Sequence, residues 1–373
     1  MNGNIRVGNL FGIPFYVNPS WFFILGLVTL IYGGQLAQFP QIGGITPWIL
    51  GLVAAILLFA SVLAHELGHS FVAIAQGIEV KSISLFIFGG LASLEKESKT
   101  PAGSFYIAIA GPAVSLLLYA FFTALNASIA LPTPADEIIF LLAQINLFLA
   151  LFNLIPGLPL DGGNILKALV WQITGNPNKG VIFASRVGQF FGWLAVVIGL
   201  MGTLGISSVG SLWTAIIGWF LLQNAGFSAQ SATIQDKLSN YTAEDAVIAD
   251  SPIVAANLTL RELANDYIIG KEKWRKFLVT NGEGQLLGTI SVEEMKKVPT
   301  SQWTETSVKD VTQPAATDTL VKSNISLLEV VKLIEKQEIK EFTVVREDGV
   351  VVGLLEKASI INLLQKEAKA KLA

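Results

Sequence analysis

The sequence predicts an α-helical polytopic membrane protein that is followed by a soluble α+β module. Three features lead to this prediction. The composition is 52% hydrophobic and 14% charged, which lies outside the range of ordinary soluble globules. The charges are unevenly spread, since residues 1–225 contain only 7 of the 25 Lys and Arg and 7 of the 28 Asp and Glu. Residues 242–368 are charged and contain an internal repeat, which is typical of a folded domain outside the membrane.

Six apolar stretches in residues 1–225 are long enough to span a bilayer, which takes about 20 residues of helix. Their centres lie near Leu27, Leu57, Leu116, Leu147, Ala195 and Trp219. The connections at residues 33–46, 127–137 and 204–212 contain no Lys or Arg, whereas all seven basic residues fall on the opposite side of the spans. By the positive-inside rule we expect a multi-pass protein of the cell membrane, with both termini and the soluble module in the cytoplasm.

Residues 80–94, VKSISLFIFGGLASL, are apolar but too short to span the membrane. They are rich in β-branched and aromatic residues and are interrupted by Gly89 and Gly90. This pattern predicts two short strands around a glycine turn, forming a re-entrant hairpin whose backbone is covered by protein. A hairpin on the protein surface is the alternative.

The second predicted span contains the sequence HExxH, formed by His65, Glu66 and His69. Positions four apart on a helix differ by about 40°, so both imidazoles project from one face and can share one metal ion. Glu66 lies about 100° from His65, within reach of a water on that ion. Because a buried glutamate in a membrane is costly, the triplet predicts a functional site. Hydrogen bonds from the histidine pair to another helix are the alternative.

A catalytic zinc ion usually has three protein ligands and a water, so one ligand is missing from this motif. The chain has no cysteine and no other histidine, which leaves carboxylates. Asp161 is the best candidate. It lies in the stretch 153–163, NLIPGLPLDGG, whose prolines and glycines break the helix. In a membrane, irregular backbone of this kind lines a functional site instead of facing lipid. The alternative is that Asp161 caps a helix that begins near Ile165.

Three sequence motifs together resemble the site-2 protease family of intramembrane zinc metalloproteases. HELGH at residues 65–69 and NxxPxxPLDGG at residues 153–163 match its two main motifs, and AGPAVS at residues 110–115 matches a weaker third. The resemblance covers the membrane part of the chain, residues 1–225. The family often has Arg after the final glycine pair, where this chain has Asn164.

The resemblance implies one Zn²⁺ per chain and a role for each motif residue. His65, His69 and Asp161 would be the zinc ligands, Glu66 the general base, and Asn153 a polar group that helps to hold the substrate or the oxyanion. The strand-like segment at residues 86–94 would pair with an unwound substrate. These roles agree with the chemistry of peptide hydrolysis by a zinc-activated water and a carboxylate base.

The soluble part contains two copies of one pattern, which aligns Phe277, Gly284 and Gly288 without gaps to Phe342, Gly349 and Gly353. Each copy is predicted to form helix, strand, turn, strand and helix. The module resembles a tandem pair of cystathionine β-synthase (CBS) domains, which usually pack together and often sense adenine nucleotides. Ser291 and Glu294 occupy the ribose-contacting positions of the first copy, whereas Glu356 and Ser359 in the second match poorly. Docking or dimerisation without a ligand is the alternative.

We expect residues 1–225 to form the protease domain, 226–241 a linker, 242–299 the first CBS domain and 307–368 the second. The predicted function is intramembrane hydrolysis of membrane-anchored, single-pass proteins, as in regulated proteolysis, with the CBS pair as a candidate gate. Other hypotheses are a zinc channel or transporter, and a catalytically silent scaffold controlled by the CBS pair. The expected partners are these substrates, the lipid bilayer and a second copy bound through the CBS domains. The net charge of −3 gives no basic surface for nucleic acid.

Overall fold

The computed structural model describes residues 4–40, 42–87, 89–129, 132–270, 274–337 and 339–370. The chain forms two compact units, Met1–Thr233 and Ile234–Ala373. The boundary between them falls within residues 226–241, the predicted linker. Most of that segment is helical, being the last part of a helix that starts in the first unit. The other domain limits assigned from the sequence stay predictions.

The described residues of the first unit form seven helices. They are α1 Pro19–Leu36, α2 Thr46–Ala75, α3 Pro101–Ser128, α4 Thr133–Asn153, α5 Asp161–Thr174, α6 Pro177–Thr203 and α7 Leu212–Ser239. Proline opens α1, α3 and α6, where its missing N–H costs nothing. The side chains of Asn18, Thr100 and Asn176 cap the same three helices by accepting backbone N–H bonds.

Five of these helices, α1, α2, α3, α4 and α6, are long and apolar enough to cross a membrane. The sixth predicted span, near Trp219, is helical as part of α7 but does not reach that hydropathy among the described residues. The amides of Gln223 and Asn224 interrupt its apolar stretch. Five of the six predicted spans therefore satisfy length and composition, and the sixth is part of a less apolar helix of 28 residues that is still long enough to cross a bilayer.

Small residues allow α2 to lie very close to its neighbours. A Cβ on Gly51 would be 2.6 Å from the Thr29 carbonyl oxygen of α1. A Cβ on Gly68 would be 2.9 Å from the Ala110 carbonyl oxygen of α3. Since only glycine permits such approaches, these positions fix how the helices pack. The HExxH turn of α2 consequently lies against the 110–115 stretch of α3.

A four-stranded sheet lies beside these helices. Its strands are β1 Ile5–Leu10, β2 Ile13–Val17, β3 Val80–Phe86 and β4 Gly89–Leu94, in the order β1-β2-β3-β4. β2 and β3 are parallel and the other pairs are antiparallel. The two predicted strands are confirmed, and Ile83 and Leu85 of β3 are buried inside the protein, as expected for a covered hairpin. The sequence did not predict the N-terminal hairpin. The glycine turn was also misplaced, because Gly89 pairs with Phe86 and so begins β4.

The second unit is built from two similar three-stranded sheets, as the repeat predicts. The first contains β5 Ile253–Ala255, β6 Lys276–Thr280 and β7 Leu286–Ser291, and the second β8 Leu320–Lys322, β9 Glu341–Val345 and β10 Val351–Glu356. In both, the short first strand is parallel to the middle strand, which forms an antiparallel hairpin with the third. The helices are α8 Leu260–Leu263, α9 Val292–Met295, α10 Val308–Val311, α11 Leu327–Gln337 and α12 Lys357–Ala370.

The two hairpins bind each other through equivalent positions of the repeat. Gln285 forms a β-bridge with Val350. The flanking bonds are reciprocal: the Leu286 N–H donates to Gly349 O at 3.1 Å, and the Val351 N–H donates to Gly284 O at 2.9 Å. Each bond therefore has a counterpart in the other copy, which relates the two copies by an approximate twofold axis. The result is the predicted tandem α+β module.

Candidate metal centre

Three side chains from two helices converge at one point in the first unit. The Nε2 atoms of His65 and His69 lie 3.3 Å apart on successive turns of α2. The Oδ2 atom of Asp161 lies 3.0 Å from His65 Nε2 and 3.2 Å from His69 Nε2. All three residues are buried or nearly so. The structure thus brings together the three residues that the sequence proposes as ligands.

The spacing of these donor atoms fits a tetrahedral metal ion. Zinc bonds to imidazole nitrogen and carboxylate oxygen are about 2.0–2.2 Å long, so donor atoms at two corners of the tetrahedron are about 3.4 Å apart. The three observed separations lie close to that value. Two nitrogens and one oxygen also form the donor set of a catalytic zinc site, which keeps its fourth position for water. The residues present therefore fit zinc.

The stretch that follows α4 brings Asp161 to the histidines. Asp161 is the first residue of α5, so the helix starts earlier than the predicted Ile165. The cap position is Leu160, and the Asp161 carboxylate turns towards α2 instead of capping the helix. A Cβ on Gly162 or Gly163 would overlap the backbone of residues 154–158. The two glycines thus allow the chain to fold back tightly enough to place the carboxylate.

Helix α3 orients both imidazoles, a role that the sequence did not assign to it. The Nδ1–H of His69 donates to the carbonyl oxygen of Ile107 at 2.6 Å, and His65 Nδ1 lies 2.9 Å from Ser115 Oγ. Protons on the Nδ1 atoms leave both Nε2 lone pairs free for a metal. A Cβ on Gly111 would overlap His69 Nε2, so glycine is needed there. The signal was the weak AGPAVS motif, which contains both Gly111 and Ser115.

We predict that Ser115→Ala weakens zinc binding by about 10–100-fold, the usual cost of losing a group that orients a metal ligand. The His65 ring would lose the partner that fixes its tautomer. Competition with a chromophoric chelator measures the affinity, and Ser115→Thr should restore most of it by keeping the hydroxyl. Ser185→Ala is the matched control, because Ser185 is equally buried but lies on α6. Equal zinc affinities for Ser115→Ala and wild type would contradict this role.

Glu66 lies beside the cluster without joining the three donor atoms. Its Oε2 accepts a hydrogen bond from the Ala92 N–H of β4 at 3.1 Å. Its side chain is so close to β4 that a Cβ on Gly90 would be 2.5 Å from Glu66 Cγ. The carboxylate is therefore near the metal ligands while its own contact is to the sheet. This is the placement of a base rather than of a fourth protein ligand.

The cluster opens onto a cavity of about 320 Å³. Its walls include the three ligands, Glu66, residues 90–92 of β4, and polar residues from other elements, namely Glu97, Ser98, Ser104, Asn153, Asn164 and Lys167. Asn153 is the last residue of α4, and its amide donates to the Leu149 carbonyl at 2.9 Å. Asn164, where the family often has Arg, is on the same wall. The cavity can hold an extended peptide segment against the ligands.

An ion pair at the cavity wall was not predicted from the sequence. Lys167 Nζ of α5 lies 2.6 Å from Glu97 Oε2, in the connection between β4 and α3. Lys167 is only 7% exposed, although Glu97 is largely exposed. The two residues are 70 positions apart, and neither lies in a recognisable motif. The pair ties α5, and hence Asp161, to the end of the sheet.

Ser291 and Glu294 of the second unit lie together, but they bind each other. Ser291 caps α9, and the Glu294 carboxylate accepts bonds from the Ser291 N–H at 2.7 Å and from its hydroxyl at 3.0 Å. This is a capping box, which explains the pair without a ligand. In the second copy, the Ser359 hydroxyl donates to the Glu356 carbonyl oxygen at 2.8 Å.

Comparisons with known proteins identify relatives of the whole chain. The model of Peptidase family M50 matches residues 53–132 and 126–195. A protein of Synechocystis sp. that is named a zinc metalloprotease, sll0528, is 63% identical over 99% of this chain and 97% of its own. Zinc metalloprotease MJ0392 of Methanocaldococcus jannaschii is 27% identical over 98% of this chain and 97% of its own.

Among solved structures, the site-2 protease from Methanocaldococcus jannaschii matches 61% of this chain and 95% of its own, with 29% identity and a TM-score of 0.43. The CBS domain of a bacterial CNNM/CorC family Mg²⁺ transporter matches 35% of this chain and 79% of its own, with 14% identity and a TM-score of 0.28.

Proposed function

The chain belongs to peptidase family M50, the site-2 proteases, and we propose that it cleaves membrane-anchored proteins within or next to their transmembrane segments. As a family member it is a zinc metalloprotease and a multi-pass membrane protein. The observation that carries the proposal is the convergence of Asp161 of α5 with His65 and His69 of α2, a helix apolar enough to lie in a bilayer. A cluster of metal ligands on such a helix would allow hydrolysis of peptide bonds inside the membrane, which soluble proteases do not reach.

Each residue at the site has a separate role in the proposed hydrolysis. His65, His69 and Asp161 would hold the zinc. When bound, zinc lowers the pKa of a bound water to about 7 and polarises the carbonyl of the scissile bond. Glu66 is the general base, taking a proton from the attacking water and returning it to the leaving amine. Asn153 on the cavity wall is proposed to hold the substrate carbonyl through its side chain.

The substrate must unwind before it can be cleaved, because a helix hides its carbonyl groups in internal hydrogen bonds. The unwound backbone then needs new partners in a medium without water. β4 can supply them, since it is the edge strand of the sheet and its residues 90–92 line the cavity. We propose that the substrate adds to β4 as a further strand. Single-pass proteins with helix-breaking residues near the cleaved bond should be the preferred substrates.

We also propose that the second unit and both termini are cytoplasmic and that the CBS pair regulates the protease. The distribution of Lys and Arg supports the orientation. The two similar copies, related by an approximate twofold axis, form the module to which we assign regulation, and the proposal is that a bound ligand changes its shape. The ligand would be an adenine nucleotide at the first copy, and a second chain would pair through the same module.

The nucleotide proposal predicts that Ser291→Ala lowers the affinity for ATP or AMP by about 3–10-fold, through loss of a hydroxyl contact. Ser307→Ala is the matched control. Ser307 caps α10 in the same way, with its hydroxyl 2.7 Å from Asp310, so both changes should cost about 1 kcal/mol of stability. Calorimetric titration of the full-length protein measures both. If neither nucleotide binds wild type, or the two variants lose affinity equally, Ser291 has no role in binding.

The function itself is tested with purified protein in lipid vesicles and a synthetic single-pass peptide. We expect cleavage inside the transmembrane segment, its loss on addition of a zinc chelator, and its return with zinc. Cleavage that continues at full rate in the chelator would exclude this site as the source of the activity.

A further inference from the structure

The hydrogen-bonding pattern of the sheet determines which backbone groups of β4 face away from β3. The Leu85 carbonyl accepts a bond from the Asn18 N–H at 2.8 Å, so the polar groups of Leu85 point towards β2. Gly90, which is opposite Leu85, is therefore in a non-hydrogen-bonded pair. The pair Ile83 and Ala92, two residues further along, is of the same type. The N–H and C=O groups of Gly90 and Ala92 thus point off the edge of the sheet.

This edge faces the metal cluster. Gly90 and Ala92 line the same cavity as His65 and Asp161. A peptide strand that adds to β4 there would accept a hydrogen bond from the Ala92 N–H and would pass directly in front of the ligands. The Ala92 N–H is therefore the donor through which a substrate carbonyl next to the cleaved bond would be held.

In the structure the Glu66 carboxylate already accepts the hydrogen bond from this donor. Its Oε2 accepts the Ala92 N–H at 3.1 Å, and its Cδ would be 2.9 Å from a Cβ on Gly90. A side chain at residue 90 would leave no room for the Glu66 side chain in this position. A substrate strand and the Glu66 carboxylate cannot fill the same space in front of β4, so one must displace the other.

We propose that the Glu66 carboxylate stays hydrogen-bonded to the Ala92 N–H until a carbonyl of a substrate strand accepts that bond instead. This exchange frees the carboxylate to turn towards the metal site. The inference rests on the proposed function. The exchange makes the general base, Glu66, available only when a substrate backbone is paired with β4. The Glu66 carboxylate loses one charge-assisted hydrogen bond in the exchange, and the substrate carbonyl gains the same donor, so the competition weakens substrate binding.

The test compares peptide binding to three variants and wild type of the full-length protein, all with zinc removed so that nothing is cleaved. The probe is a fluorescent peptide of about 25 residues, rich in Leu and Ala, with a central Gly-Gly pair. We expect Glu66→Ala to bind the probe about 10-fold more tightly than wild type, the effect of removing one charged competitor for a hydrogen bond. Glu66→Gln should bind with an affinity between those of Glu66→Ala and wild type, because its amide oxygen still accepts the Ala92 N–H but carries no charge. Glu79→Ala, at an exposed carboxylate, should not change affinity.

A fourth variant separates this competition from the extra space that Glu66→Ala creates. Ala92→Pro removes the N–H but not a bond of the β3–β4 ladder, since proline is tolerated on an outward-facing edge position. In this background Glu66→Ala should no longer tighten binding. Equal affinities for Glu66→Ala, Glu66→Gln and wild type would overturn the inference, as would an advantage that persists in Ala92→Pro. If zinc-loaded wild type does not cleave the probe in vesicles, the proposed function fails instead.

Discussion

Replacing Glu66 by glutamine is expected to slow peptide hydrolysis by about 10²–10⁴-fold, the usual contribution of a general base. Glutamine has nearly the same shape and can still accept the Ala92 N–H, so the sheet and the helix should be undisturbed. It cannot take a proton from water. Because Glu66 supplies none of the three atoms that would bind the metal, the variant should also keep its zinc. Cleavage rates in vesicles and zinc content per chain measure the two properties separately.

Glu79→Gln is the control for this change, because Glu79 is an exposed carboxylate in the connection between α2 and β3. Its cleavage rate should equal that of wild type. In cells, Glu66→Gln should cause uncleaved membrane peptides to accumulate. A rate within a few-fold of wild type for Glu66→Gln would mean that another group is the base. A zinc transporter, in contrast, needs ligands but no base, and its metal flux would survive the change.

Asp161→Asn is expected to lower zinc affinity by more than about 100-fold, beyond the loss seen when a supporting group is removed. The carboxylate would be replaced by a neutral amide of the same shape, leaving two imidazoles that cannot form a three-ligand site. Hydrolysis should fall with the zinc content and should recover in part at high zinc concentration. Chelator competition measures the affinity, and cleavage at increasing zinc concentration tests the recovery.

Asp136→Asn controls for the loss of a carboxylate. Asp136 lies in the first turn of α4 and accepts a bond from the Asn126 amide at 3.1 Å, which the amide oxygen of the variant can still accept. Its zinc affinity should be that of wild type. Unchanged zinc affinity in Asp161→Asn would remove Asp161 from the ligand set, whatever its distance from the histidines.

The sequence predicted those parts of the site whose geometry is local. A spacing of four residues places His65 and His69 on one face of any helix, and β-branched residues broken by glycines indicated β3 and β4. Asp161 could be selected because the chain has few other carboxylates in the membrane half and because prolines and glycines surround it. The repeat in the second unit was visible as a gapless alignment of its two copies, and the same equivalence reappears in the reciprocal bonds made by Gly284 and Gly349.

Other features depend on contacts that no local pattern encodes. The N-terminal hairpin joins the sheet by a parallel pairing of β2 with the distant β3, and a short strand such as IPFYV has no feature that identifies its partner. The hydrogen bond from His65 to Ser115 links residues 50 positions apart. The sixth span is less apolar than the other five, because Gln223 and Asn224 interrupt the apolar residues of α7.

The most direct test of the central claim, that His65, His69 and Asp161 hold one catalytic zinc, is X-ray absorption spectroscopy of the zinc-loaded protein in lipid. We predict one zinc per chain with two imidazole ligands and oxygen ligands in the remaining positions, at about 2.0–2.2 Å. Zinc bound with one imidazole or none, or a spectrum and stoichiometry that Asp161→Asn leaves unchanged, would contradict the account.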